Sequence, residues 1–296
     1  MVPFYRGRFA PSPTGPLHMG SLLCAVCSFL DARHHNGQWL VRMEDLDPPR
    51  ETPGASSQIL TTLERHGLAW DDAVLYQSTR TEAYEAALQQ LKQAQFSYVC
   101  TCSRKTIQAN SQNPHVYPGS CRNLGYSTSK AAIRLRLEDR TVCFTDQLQG
   151  QQCQNVLQEV GDFVLKRADG LYAYQLAVVV DDAFQGVTHV VRGFDLLDNT
   201  ARQLVLQSML GLSQPTYAHI PILVNPEGEK LSKQTFARAV DNTKPVENWR
   251  IILRLLGLSP PDLSLDTLIQ WAVQQWELNT LSRQQYIPYV NVEGSA

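Results

Sequence analysis

The stretch from Tyr5 to Met43 constrains the fold most. Tyr5 to Ala10 reads as a short strand, and the breaker-rich run Pro11-Ser12-Pro13-Thr14-Gly15-Pro16 reads as a loop. Apolar Leu22, Leu23, Val26, Phe29 and Leu30 then recur at helical spacing over about Ser21 to His35, and Asn36-Gly37 supplies the stop. Trp39 to Met43 resumes an extended pattern. Strand, loop, helix, strand is a βαβ unit, whose ligand crevice lies beyond the C-terminal ends of its parallel strands. The expected fold class is therefore α/β, a Rossmann-like parallel-sheet nucleotide-binding domain whose first loop faces the ligand.

The alternation continues with helices expected at about Gly54 to His66 and Arg80 to Ala94. A cysteine-bearing segment then interrupts it until Ala132 to Leu137, and residues 96–165 are read as an insertion. Phe163 to Lys166 and Leu171 to Tyr174 flank Ala168-Asp169-Gly170, a hairpin signal. A strand at Val187 to Val191 and a helix from about Asp195 to Leu210 follow. Beyond Lys244-Pro245 the pattern is helical, with Trp249, Ile252, Leu253 and Leu256 on one face and Leu268, Trp271 and Ala272 on another. The expected organisation is a catalytic domain in two halves, 1–95 and 166–244, the insertion between them, and a small helical C-terminal region, 245–296.

The N-terminus has no apolar signal core and no run approaches a membrane span, so a cytoplasmic protein without a membrane partner is expected. Formal net charge is −2, so an RNA partner would have to be held by a local basic surface. Seven cysteines is an odd count, and Cys100, Cys102 and Cys121 cluster, which suits a metal in a reducing compartment better than a disulfide framework. Cys24 and Cys27 have redox-motif spacing but fall inside the first helix, where packing is the expected role.

Two loops carry phosphate chemistry. In the first, His18 and Gly20 precede a helix N-terminus, a natural seat for phosphate oxygens, and Gly20 is expected to let a ligand approach closely. The second, Gly228-Glu229-Lys230-Leu231-Ser232-Lys233-Gln234, places two lysines three apart after the apolar run Ile220 to Val224. Each signal is weak alone. Together, Arg8 to Gly20 and Lys230-Leu231-Ser232-Lys233 closely resemble the paired signatures of class I aminoacyl-tRNA synthetases, specifically the glutamyl branch. Further matches lie at Arg42 to Asp47, Val179 to Asp182 and Gly186 to Gly193.

The resemblance implies attack of a glutamate carboxylate on the α-phosphate of ATP, catalysed by alignment and charge stabilisation. It assigns His18, Lys230 and Lys233 to catalysis, and His18, Gly20, Ser21, Lys230, Ser232 and Lys233 to ATP, which would arrive with Mg²⁺. Free glutamate would lie against Arg8, Phe9, Ala10, Pro11 and Ser12, with Arg8 and Arg192 taking carboxylates, Glu44 the ammonium, and Tyr174 lining the pocket. Ser21 and Gln234 stand where the family often has a histidine and a basic residue. The cysteine segment resembles the branch's structural zinc site, with Cys100, Cys102, Cys121 and Tyr117 as ligands and His115 the rival for the fourth place.

The stretch after Gln234 is short beside the anticodon-reading region of ordinary glutamyl-tRNA synthetases. That shortness, with Arg192 to Thr200, resembles the glutamyl-queuosine tRNA(Asp) synthetases, which move activated glutamate onto queuosine in the anticodon loop. The resemblance implies ATP, L-glutamate and queuosine-bearing tRNA(Asp) as partners, and a monomer. Arg104, Lys105, Arg134, Arg136, Arg202 and Arg238 are available for RNA phosphates. The rivals are a compact glutamyl-tRNA synthetase charging a 3′ end and a non-catalytic glutamate- or RNA-binding paralogue.

Overall fold

The computed structural model describes residues 4–111, 113, 116–128, 130–231 and 238–290. The chain runs through β1 (Arg6–Phe9), α1 (Met19–His34), β2 (Gln38–Met43), α2 (Ala55–Arg65), β3 (Leu75–Tyr76) and α3 (Thr81–Gln93). β1, β2 and β3 pair in parallel, with Arg6 opposite Gln38 and Met43 opposite Tyr76. Five of the six β2 residues are buried, as befits a strand covered on both faces. α1 is buried nearly all round, from Leu22 to Ala32 with only Cys24 partly exposed, because it lies between the sheet and the C-terminal helices. Asn36 (φ 52°) takes the left-handed turn that ends it, as the Asn-Gly signal predicts.

The segment read as an insertion contains β4 (Ser97–Cys100), α4 (Arg104–Asn110), β5 (Ala132–Leu135), the hairpin β6 (Thr141–Asp146) and β7 (Gly150–Asn155), α5 (Val156–Glu159) and β8 (Val164–Lys166). β4, β5 and β8 form an antiparallel sheet. Cys143 and Cys153, directly opposed on the exposed hairpin, are joined as a disulfide. The expectation that the cysteine pattern suits a metal better than a disulfide framework does not extend to this pair, because an antiparallel register brings two residues ten apart face to face.

α6 (Tyr174–Phe184), β9 (His189–Gly193), α7 (Thr200–Leu210) and β10 (Thr216–Ile220) return the chain to the parallel layer. β9 pairs with β10, and the Thr188 amide donates to the Arg6 carbonyl (2.9 Å), which sets β9 beside β1. β1 thus lies between β2 and β9, and its C-terminal end opens at the point where connections leave in both directions. Two expectations change here. The hairpin around Asp169 shrinks to a single bridge between Lys166 and Tyr172, since Tyr174 already starts α6. The helix expected from Asp195 begins as a 3₁₀ turn, Phe194–Asn199, and becomes α-helical at Thr200.

β11 (Ile222–Val224), α8 (Pro245–Leu255), α9 (Leu265–Gln275) and β12 (Tyr286–Pro288) complete the order. The C-terminal region is not purely helical, because β12 pairs in parallel with β11. Nor is it separate. Trp249, Ile252, Leu253, Leu268 and Trp276 share one core with α1 and β2, and two buried indoles donate into it: Trp249 to the His66 carbonyl (2.8 Å) and Trp276 to Asp31 (2.9 Å). No helix among the described residues is long and apolar enough to cross a membrane.

Candidate active site

The loop after β1 is pinned by its backbone. The Pro11 carbonyl accepts from the Glu44 amide (2.9 Å), the Pro13 carbonyl from the Thr52 amide (3.0 Å), and the Thr52 hydroxyl donates to the Thr14 carbonyl (2.9 Å). The loop therefore opens onto a cavity of 1210 Å³ instead of folding across it. Its wall includes Arg8, Phe9, Ala10, Pro11, Ser12, His18, Ser21, Glu44, Tyr174, Arg192 and Lys230. Residues far apart in sequence, expected to share a site, do share one.

His18 caps α1, its ring accepting from the Ser21 amide (3.3 Å). A Cβ on Gly20 would sit 3.2 Å from that ring, so the room Gly20 leaves belongs to His18, and Gly20 does not line the cavity. Ser232, Lys233 and Gln234 lie outside the described residues. Their flanks do not. Lys230 reaches Asp195 (2.5 Å) at the cavity wall, Ala239 bridges to His18, and the Val240 amide donates to the Leu17 carbonyl (2.8 Å). Both ends of the second loop are thus tied to the first.

The cavity wall around Arg8 and Glu44 is built on buried charge. Arg42, fully buried in β2, donates to Asp182 (2.7 Å), Gln185 (2.9 Å) and Glu44 (3.3 Å). Asp182 also receives Arg8 Nε (3.3 Å), whose terminal nitrogens make no hydrogen bond among the described residues and face the cavity. Burial pushes the Asp182 carboxyl up, but Arg42 and Arg8 outweigh it and hold it below the usual carboxylate range. Burial wins at Glu44, whose carboxyl is raised despite both arginines. An ammonium beside Glu44 would reverse that shift, which suits an anion awaiting a cation. Next door, Asp181 receives Tyr84 (2.5 Å), Gln77 (3.0 Å) and Arg80 (3.1 Å), anchoring α6 to α3.

Arg192 lines the cavity from β9. Its Nε donates to His219 (2.9 Å), Nη1 to Gln203 (2.9 Å) and Nη2 to Thr200 (2.9 Å), with longer contacts to Leu196 O (3.3 Å) and the Tyr174 hydroxyl (3.5 Å). The sequence does not single out Asp146, Gln203 or His219, and it offers Arg42, Asp181, Asp182 and Asp195 with no role. An arginine amid the apolar strand Trp39-Leu40-Val41-Arg42-Met43 was the one local signal available.

Beside the cavity, the sulfurs of Cys100, Cys102 and Cys121 lie within 4.8 Å of one another, Cys102 and Cys121 at 3.4 Å. The Tyr117 hydroxyl is 3.3 Å from Cys100 Sγ and accepts from the Cys121 amide (2.9 Å). Gly161, at φ 77°, lets the Tyr117 backbone approach where a Cβ would be 2.5 Å from its carbonyl oxygen. Burial raises the Cys121 thiol, but the Thr101 amide and neighbouring groups bring it down to about 7. Three sulfurs this close, one of them readily ionised, fit a tetrahedral zinc ion. His115 is outside the described residues. Arg134, expected to be open to RNA, is buried instead: it donates to the Asp162 carbonyl (2.7 Å) and stacks on the Tyr117 ring (3.8 Å).

The sequence pattern of class I tRNA synthetases (E and Q), catalytic domain, matches residues 5–261. The chain belongs to the class I tRNA synthetases of the glutamyl and glutaminyl type. Among relatives of this synthetase family, glutamyl-Q tRNA(Asp) synthetase of Pseudomonas paraeruginosa is 50% identical over 97% of this chain and 99% of its own length. That of Dechloromonas aromatica is 51% identical over 96% and 97%. The glutamate-tRNA synthetase of Elizabethkingia anophelis has the same fold with a TM-score of 0.81, at 25% identity, covering 97% of this chain and 68% of that one. The α/β parallel-sheet catalytic fold expected of the family is the one observed.

Proposed function

We propose that this chain activates glutamate with ATP in the absence of tRNA and transfers it to queuosine in the anticodon loop of tRNA(Asp). One observation carries the reading: relatives named for that activity match it nearly end to end at half identity. The cavity is suited to it, since Arg8, Glu44 and Arg192 bring cations and an anion to its wall and His18 and Lys230 line it as well.

In this reading the magnesium complex of ATP lies along the α1 N-terminus, against His18, Ser21, Lys230, Ser232 and Lys233. Glutamate lies against Phe9 to Ser12, its carboxylates on Arg8 and Arg192, its ammonium on Glu44, with Tyr174 beside it. A glutamate carboxylate oxygen attacks the α-phosphorus, the bond to the bridging oxygen breaks, and pyrophosphate leaves. Lys233 and Lys230 stabilise the charge that builds on it. A queuosine hydroxyl then attacks the adenylate carbonyl and AMP departs. Zinc held by Cys100, Cys102, Cys121 and Tyr117 would fix the segment beside the cavity and take no part in the chemistry.

Labelled glutamate offered to tRNA(Asp) with and without queuosine tests this. Transfer only to the queuosine-bearing form is expected. Equal labelling of both forms would favour charging of a 3′ end, a reading that the likeness to a glutamate-tRNA synthetase keeps open.

A further inference from the structure

Arg192 has an unusual first shell for a buried cation. It is 4% exposed, yet all its hydrogen-bond acceptors are neutral: an imidazole nitrogen, an amide oxygen, two hydroxyls and a backbone carbonyl. No carboxylate touches it among the described residues; one stands behind His219. Asp146 Oδ2 meets His219 Nδ1 at 2.5 Å, while Asp146 Oδ1 accepts the backbone amides of Leu148 (3.0 Å), Gln149 (2.9 Å) and His219 (3.1 Å). Asp146 ends β6, so the cysteine-bearing hairpin supplies this anchor; Gln149 adds a bond to the His219 carbonyl (2.8 Å).

The proton placement follows from donors and acceptors alone. An ionised carboxylate only accepts, so His219 Nδ1 carries the proton, and Nε2 of a neutral ring offers a lone pair to Arg192 Nε–H. A protonated ring would set N–H against N–H. Burial pushes the imidazole down to about 4, which keeps it neutral at neutral pH. A carboxylate placed directly on Arg192 would cancel its charge, as Asp182 does for Arg42. An imidazole in between fixes orientation and leaves the charge to a ligand.

We propose that Asp146 and His219 are positioning residues for amino-acid activation, holding Arg192 by its Nε so that its Nη edge presents to a substrate carboxylate. The contacts that a carboxylate would replace are the two longest, to Tyr174 and Leu196, and both those residues line the cavity. This inference rests on the assignment of Arg192 to glutamate proposed above.

Glutamate-dependent pyrophosphate exchange without tRNA tests it, with KM for glutamate and for ATP measured separately and thermal unfolding recorded for each variant. Asp146→Asn is the decisive substitution. Its Oδ1 position already accepts three amides, so the new NH₂ would point at His219 Nδ1 and drive the proton to Nε2, against Arg192. KM for glutamate should rise by about tenfold in Asp146→Asn and in His219→Leu, with KM for ATP unchanged. His219→Gln, whose amide can donate to Asp146 and accept from Arg192, should recover most of the loss. Arg192→Ala serves as the reference. If it raises KM for glutamate while Asp146→Asn and both His219 variants stay within about twofold of wild type, the inference falls and the role of Arg192 stands. If Arg192→Ala leaves KM unchanged, both fall. Should His219→Leu not fold, Asp146→Asn and His219→Gln decide the matter.

Discussion

Two walls beside the cavity hold their arginines by opposite means. On one wall Arg42 meets Asp182 and Glu44 directly, and Arg8 shares Asp182. On the other, Arg192 is ringed by neutral acceptors and its carboxylate, Asp146, acts through His219. Direct pairing compensates a buried charge within the fold, whereas indirect pairing fixes its direction and leaves it for a ligand. The difference teaches which arginine is scaffold and which is receptor. In the proposed function Arg42 is scaffold and Arg192 receptor, and Arg8 stands between, anchored by Nε and lining the cavity.

Removing the scaffold should cost most. Arg42→Met leaves Asp182 and Glu44 as buried carboxylates without their main partner, and chemical denaturation should show a loss of about 3–5 kcal/mol. A loss under about 1 kcal/mol would mean that Arg42 is not structural. Arg8→Ala should act on function first: Asp182 keeps Arg42, so stability falls less than in Arg42→Met, while KM for glutamate in pyrophosphate exchange rises on the order of a hundredfold. The reverse ranking of the two variants would erase the distinction.

Acid sharpens the contrast. His219, with its folded pKa near 4 against 6.5 ordinarily, resists a proton that the unfolded chain accepts. Its contribution to stability is complete above pH 6.5 and is lost as pH falls from 6.5 to about 4. Burial lowers His66 and His189 as well, in the same direction. Asp146 and Asp182, both held below 3.8, keep their contribution through this range and lose it only at still lower pH. Denaturation midpoints should therefore drop between pH 6.5 and 4, and His219→Gln should flatten part of that slope; an identical slope in the variant would remove His219 as its source. The smallest effect belongs to Tyr174→Phe, which deletes a contact of 3.5 Å to Arg192 and should raise KM for glutamate about threefold.

Much of this was legible in the sequence. The βαβ start, the two loops and the cysteine cluster each carry local marks, proline and glycine spacing, paired lysines and clustered thiols, that survive without three-dimensional context. The relay behind Arg192 does not. Asp146 and His219 lie on a hairpin and a strand 73 residues apart in sequence, and each alone reads as an ordinary polar residue. The Cys143–Cys153 pair was hidden for a related reason, since only the hairpin register opposes them. Gly20 misled because its free space is filled by a neighbour in sequence, His18.

In the proposed function both signature loops serve one ATP beside a glutamate pocket that is complete without RNA. Glutamate-dependent exchange of pyrophosphate into ATP, measured with no tRNA present for the wild type and Lys233→Ala, tests it most directly. The account predicts exchange in the wild type and its near loss in Lys233→Ala, with glutamate still bound. Exchange that begins only when tRNA is added, or that survives in Lys233→Ala, would contradict it.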